Sequence, residues 1–259
     1  MASEKKSSDY FYLTNSKIYT SQKIMMSNDR YRHIFFDLDH TLWDFDTNSK
    51  NTMKEVFMHF QLDEKIGSNF NDFFEKYSVH NKQLWERYQK GFISTEELKW
   101  KRMWRTLLDF KVADEQLSKE MSALFLDILP SQQGMFPYAK EILHYLSEKQ
   151  YKLHLITNGF EKTQRSKIKN SGIDHFFTHV ITSESSMSMK PEKEIFEYAV
   201  NRAGTNFDSS VMIGDNLDAD IAGAMNAGMD AIFVNHIQET PKIIPTFTIH
   251  HLQELEQIL

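Results

Sequence analysis

"HIFFDLDHTLWDFD", residues 33–46, sets four aspartates within ten residues directly behind a short apolar run. Alternation along an extended chain puts Asp37 and Asp39 on one side and turns Leu38 into the core. Two carboxylates converging where a buried strand ends repel each other unless a cation sits among them. Oxygen ligands of this kind favour magnesium. An aspartate-rich turn is the plain alternative, but a turn rarely follows a buried strand with acids at this spacing and a threonine, Thr41, after the second. Asp44 and Asp46 lie further on, in the flap leaving the motif, where solvation of a hinge accounts for them.

The same rhythm returns later in the chain. "KLHLIT" (152–157), "HVIT" (179–182), "SVMIG" (210–214) and "AIFVN" (231–235) are short, mostly apolar runs. Helical segments separate them: "AKEILHYLSEK", "KTQRSKIKNSG", "PEKEIFEYAVNRAG" and "DADIAGAMNAG". Three of these finish in glycine, a common helix stop, and one begins with Pro191 at a first-turn position. Strand and helix in alternation predict an α/β fold, a doubly wound and mostly parallel sheet with helices on both faces. Ligands of such sheets bind beyond the carboxyl ends of the strands, where the acids of the opening stretch lie.

Residues 48–130 break the rhythm. Phe70, Phe73, Phe74, Tyr77, Leu84, Trp85 and Tyr88 recur at the spacing of a buried helical stripe. Ser94 and Glu97 form a capping-box pattern, and Trp100, Met103, Trp104, Leu107 and Leu108 continue as a second helical face. The spacing predicts an all-helical insert, joined to a core of 30–47 and 131–259 by two connections that serve as a hinge. Residues 1–29 read as a loosely ordered extension without a catalytic part, with Met25 and Met26 as further candidate starts.

A formal charge of −6 argues against a nucleic-acid binder. The chain has no cysteine, which excludes disulfides, thiolate metal sites and a cysteine nucleophile, and is compatible with a cytoplasmic location. No stretch approaches the ~20 apolar residues of a membrane span.

Three further strand ends carry chemistry. Thr157-Asn158-Gly159 offers neutral donors suited to phosphate oxygens, although such a triplet is usually only a turn. Lys190 precedes Pro191, and alone would read as solvated surface. Asp215 follows Gly214 at the end of "SVMIG", with Asp220 five residues on. Asp218 fits better as an acid placed against a helix N-terminus.

Together and in this order, "DLDHT", "ITNG", "MKPEKEIF" and "GDNLDAD" resemble the four motifs of the haloacid dehalogenase superfamily. The resemblance covers residues 31–259, and the insert falls where that superfamily carries its first-position cap. It implies that Asp37 is a nucleophile forming an aspartyl-phosphate, and that Asp39 protonates the leaving oxygen and then activates water. It further implies Mg²⁺ held by the carboxylates of Asp37 and Asp215 and by the backbone carbonyl of Asp39, with Asp220 either completing the shell or orienting it. Lys190 would balance the charge of nucleophile and phosphate, with Thr157 and Asn158 holding phosphate oxygens. Dehalogenases and phosphonate-cleaving members lack an aspartate at the position of Asp39, so its presence implies phosphate-ester chemistry. His40 departs from the glycine that relatives most often carry there.

"LWERYQKGFIS", "ITNGF" and "TLWDFD" look like bacterial 5′-nucleotidases of this superfamily that prefer pyrimidine nucleoside monophosphates and clear noncanonical nucleotides. A small phosphorylated substrate follows from that resemblance. An aromatic-rich cap suits a base, although Trp85 and Tyr88 fit a buried stripe better. A sugar-phosphate phosphatase, a phosphomutase of the β-phosphoglucomutase type and a non-catalytic binding module remain alternatives at this point.

Overall fold

The computed structural model describes residues 30–238 and 240–259, so the expected extension at 1–29 lies outside the described residues. β1 (His33–Phe36) is an interior strand of a six-stranded sheet with the order β3-β2-β1-β4-β5-β6. Its partners are β2 (Lys152–Thr157) and β4 (Ser210–Gly214); β3 (Phe177–Thr182), β5 (Asp230–Val234) and β6 (Phe247–Ile249) complete a wholly parallel set. Ile34 and Phe36 join one apolar cluster with Leu143 and Leu146, while Phe35 joins another with Phe196 and Ala199. Successive side chains therefore feed opposite faces, and both faces are covered, which is why β1 reads as a continuous apolar run. β6 was not foreseen: three residues between polar neighbours are too short to register as a strand.

After β1 the chain first forms five helices, α1 (Phe45–His59), α2 (Leu62–Ile66), α3 (Phe70–Gln89), α4 (Thr95–Asp109) and α5 (Glu115–Ile128), followed by a single turn at Leu129–Ser131. Helix begins at 45 rather than 48 because Asp44 caps it, Oδ1 accepting from Thr47 N at 3.0 Å. That is a more specific task than solvating a hinge. Phe73, Tyr77 and Leu84 are the buried members of the α3 stripe. The capping box at Ser94 is present, with Glu97 N donating to Ser94 Oγ at 3.2 Å and Ser94 N to Glu97 Oε2 at 2.9 Å. The inner face of α4 is rotated from the predicted one. Met103 and Leu107 point inward beside Arg102 and Thr106, while Leu108 is exposed.

The two connections to this helical unit run side by side. Phe136 N donates to Leu42 O at 3.0 Å and Asp44 N to Gly134 O at 3.1 Å. Asn48 closes the pair, accepting from Gly134 N at 3.0 Å and donating to Gly134 O at 2.7 Å.

Against the sheet pack α6 (Ala139–Glu148), α7 (Glu161–Asn170), the four-residue α8 (Ser183–Ser186), α9 (Lys193–Ala203) and α10 (Gly223–Ala227). The glycines that end three of them, Gly172, Gly204 and Gly228, have φ of 71°, 65° and 100°, a conformation that costs glycine nothing. Pro191 lies just ahead of α9, whose cap position is Glu192, so it belongs to the preceding turn and not to the first helical turn. Among the described residues no helix is long and apolar enough to cross a membrane.

Candidate active site

Asp37 follows β1 directly, its N–H donating to Ile213 O on β4 at 2.9 Å. Asp215 follows β4 in the same way, one strand over. Asp220 reaches them from a wide helical turn at Leu217–Ala222. Asn216 starts that turn, its Oδ1 accepting from Asp218 N and Ala219 N at 3.1 and 2.8 Å. Asn216 N in turn donates to Asp220 Oδ2 at 3.0 Å. The three carboxylates each offer an oxygen, and these oxygens lie within 4.8 Å of one another. Asp218 is exposed at the start of the turn, in keeping with its reading as a helix-terminal acid. Gly214 has no alternative: a Cβ there would come within 2.5 Å of Asp220 Cγ.

Lys190 meets this cluster from below. Its Nζ lies 2.5 Å from Asp37 Oδ1, 2.6 Å from Asp220 Oδ1 and 2.7 Å from Ile156 O. An ammonium has three N–H groups, so its capacity is taken up. Asn158 holds the lysine's backbone on both sides, accepting from Lys190 N at 2.8 Å and donating to Lys190 O at 2.9 Å. The Asn158 side chain thus clips Lys190, a partner the sequence did not suggest. Thr157 Oγ1 accepts from Gly159 N at 3.1 Å and Gln164 Nε2 at 2.7 Å, which leaves its own O–H proton to donate.

Burial sets the electrostatics. It pushes Asp37 well above the usual carboxylate range, Lys190 pulling the other way while Asp220 and Asp215 add to the rise. Asp215 is raised to about 7, by burial first and Asp220 second, against the Thr41 hydroxyl that donates to its Oδ1 at 2.9 Å. Burial disfavours the Lys190 cation, but Asp220 and Asp37 outweigh it and hold the ammonium above its ordinary pKa. Three crowded carboxylates share one ammonium. This oxygen-only donor set carries excess negative charge and suits a hard divalent cation such as Mg²⁺.

Asp39 is brought near but turned elsewhere. Its carboxylate is outside the three-acid cluster and is held from α7: Lys167 Nζ sits 2.6 and 2.9 Å from its two oxygens, and Gln164 Nε2 donates to Oδ2 at 3.0 Å. Sequence reasoning missed both partners. A signal existed, since α7 has Ile168 as its one apolar residue and must pack a polar face inward. His40 has φ of 65°, in the left-handed region that glycine enters freely.

A cavity of about 830 Å³ opens above these groups, with Asp37, Asp39 and Thr157 at one end. Phe45 and Ser49 of α1 and Phe74, Tyr77, Asn81 and Trp85 of α3 form its helical wall. Trp85 divides its surface, stacking on Phe160 at 5.5 Å as well as lining the cavity, and Tyr88 meets it edge-on at 5.7 Å. On the sheet side Phe136 lies flat on His236, centroids 3.9 Å apart.

A profile of haloacid dehalogenase-like hydrolases matches residues 31–228. Pyrimidine 5′-nucleotidase YjjG of Escherichia coli (strain K12) is 34% identical over 232 residues, 87% of this chain and 96% of the relative. Pyrimidine 5′-nucleotidase PynA of Streptococcus pneumoniae (strain ATCC BAA-255 / R6) is 31% identical, covering 87% of this chain and 93% of the relative. Among solved structures, the magnesium-bound HAD-hydrolase YfnB of Bacillus subtilis superimposes with a TM-score of 0.81 at 28% identity, over 89% of this chain and 99% of that one. The four motifs, the parallel sheet and these relatives agree, and the chain belongs to the haloacid dehalogenase-like hydrolases.

Proposed function

We propose that the protein is a Mg²⁺-dependent phosphomonoesterase that works through an aspartyl-phosphate and acts on pyrimidine nucleoside 5′-monophosphates. The observation that carries this is the meeting of Asp37, Asp215 and Asp220 around Lys190, with Asp39 two residues from the nucleophile and its carboxylate kept out of the cluster.

Bound Mg²⁺, held by the carboxylates of Asp37, Asp215 and Asp220 and the backbone carbonyl of Asp39, would supply positive charge to the phosphate end of the site. The free Asp37 oxygen attacks phosphorus as the bond to the leaving oxygen breaks, and Asp39 gives that oxygen a proton. Asp39 then takes a proton from water, whose oxygen displaces Asp37 and releases inorganic phosphate. Lys190 favours the Asp37 carboxylate against the burial that opposes its charge, and offsets the incoming phosphate charge. The Thr157 O–H donates to a phosphate oxygen, and Asn158 fixes the lysine beside it.

The nucleotide preference draws on the names of YjjG and PynA and on the chemistry of the cavity wall. Asn81 Oδ1 accepts from Arg102 Nη1 at 3.1 Å. Arginine can only donate, so the Asn81 NH₂ is left to donate toward a ligand. A pyrimidine carbonyl is an acceptor of the right kind, and Phe74 and Trp85 offer apolar faces for the ring.

A phosphate-release screen across nucleoside monophosphates, sugar phosphates and phosphoserine tests the reading. UMP, dUMP and dTMP are expected to exceed AMP and glucose phosphates, with activity lost on chelation and restored by Mg²⁺. A preference for hexose phosphates would overturn the nucleotide assignment, and release from no ester would overturn the phosphatase itself.

A further inference from the structure

Lys167 is a buried cation, 2% exposed, whose carboxylate partner is Asp39, both oxygens of which it reaches. Its Nζ lies 4.3 Å from the ring centre of Trp43 and 5.2 Å from that of Phe45, so two aromatic faces back the charge. Gln164, one helical turn earlier on α7, spends one amide nitrogen on two acceptors, Asp39 Oδ2 at 3.0 Å and Thr157 Oγ1 at 2.7 Å. An NH₂ group has two hydrogens, and both are used. Gln164 is itself buried and packs on Gly159, where an added Cβ would meet its side chain at 2.5 Å. Burying an ammonium costs several kcal/mol unless it is paired, and an exposed pair would have docked α7 without that cost.

We propose that Lys167 and Gln164 are positioning residues that fix the Asp39 carboxylate at the leaving-group side of the cavity and keep it out of the Asp37–Asp215–Asp220 cluster. The proposal rests on the phosphatase reading above. Released from the clamp, Asp39 could turn to the cluster, where a fourth carboxylate would occupy metal-facing space and deliver no proton. Gln164 ties the proton donor to the threonine that holds phosphate, so that both keep one spacing.

The test uses leaving groups that differ in their need for a proton. An alkoxide must be protonated as it departs, whereas p-nitrophenolate leaves unaided. The full-length enzyme with Mg²⁺ is assayed on p-nitrophenyl phosphate and on the alkyl phosphate it hydrolyses fastest. The quantity compared is kcat/KM, which reports steps up to departure of the alcohol. Lys167→Met is expected to lose at least tenfold more on the alkyl ester than on the nitrophenyl ester, and Lys167→Arg to recover part of that gap. Gln164→Leu, which keeps the ammonium, is expected to show the same selective loss and decides the matter where Lys167→Met does not fold. Equal losses on the two esters would mark a structural role and overturn the proposal while leaving the phosphatase reading intact. A wild-type enzyme that releases phosphate from neither ester would overturn both.

Discussion

Lys190 Nζ and Asp37 Oδ1 are 2.5 Å apart at the buried end of β1, and the same ammonium reaches Asp220 at 2.6 Å. One cation therefore serves two buried carboxylates, and it offsets part of the rise that burial imposes on the Asp37 pKa. Lys190→Met strands both carboxylates. Removing one partner of a buried pair costs about 3–5 kcal/mol, and losing an oriented charge at the reacting centre costs about 10²–10³ in kcat. Urea denaturation and steady-state kinetics on the purified variant measure the two separately; a variant with wild-type turnover would remove Lys190 from the chemistry.

Asp37→Asn tests the nucleophile from the opposite direction. Burial and its acid neighbours hold the Asp37 pKa above the usual range, so its charge works against the metal-free fold. A neutral amide relieves that charge. Turnover is expected to vanish while the melting temperature without Mg²⁺ stays level or rises. Mg²⁺ should raise the wild-type melting temperature, since a ligand that binds the native state stabilises it by mass action, and should raise that of the variant less. Undiminished hydrolysis by Asp37→Asn would end the nucleophile assignment.

Gly214 has a sharper requirement than any other glycine near the site. Its missing Cβ is the space that the Asp220 carboxylate fills. Gly214→Ala must push Asp220 off both Lys190 and Asn216 N, breaking contacts of 2.6 and 3.0 Å. The expected result is a Mg²⁺ requirement shifted at least tenfold upward with the sheet intact by circular dichroism. An unchanged half-saturating Mg²⁺ concentration would show that Asp220 has no part in holding the cation.

Asn81→Leu keeps the volume of the cavity wall and deletes the amide that Arg102 orients. If that NH₂ meets a base carbonyl, KM for UMP rises about tenfold, while p-nitrophenyl phosphate, which has no such carbonyl, loses little. A matched change on both substrates would place Asn81 in packing alone.

The strand-end chemistry was legible because each piece is local. An apolar run followed by an acid, a Thr-Asn-Gly triplet or a Lys-Pro pair carries its meaning within a few residues, and the order of such pieces specifies a parallel sheet. Partners across elements were not legible. Asp39 finds Lys167 only because α7 lies over the end of β2 in one particular rotation, and Asn158 finds the Lys190 backbone through a loop closure thirty-two residues long. The α4 face was misjudged for a related reason. Periodicity favours apolar residues, and here a buried arginine held by Asn81 and facing Phe125 takes an inward position. The capping role of Asp44 needed the start of α1 to be known first.

His154 gives the fold a pH limit away from the active site. It sits wholly buried on β2, stacked on Phe35 at 4.7 Å and flanked by His33 and His179 at 5.2 and 5.4 Å. Its Nε2 meets His33 Nδ1 at 3.0 Å, and its Nδ1 has no partner among the described residues to stabilise a second proton. Burial first, then the charges of His33, His179 and Lys152, push its pKa down to about 3 from the ordinary 6.5. The native state therefore refuses a proton that the unfolded chain accepts below 6.5. The stabilisation is complete above that pH and drains as pH falls toward 3, at up to about 1.4 kcal/mol per pH unit for one proton. His33, lowered chiefly by its own burial, acts in the same direction. His154→Phe keeps the stack on Phe35 and removes the titration. Urea denaturation at pH 7 and pH 5 is expected to show the wild type losing about 2 kcal/mol more than the variant over that interval. Identical losses would mean that the imidazole is already protonated in the native state, its charge met by a partner such as ordered water.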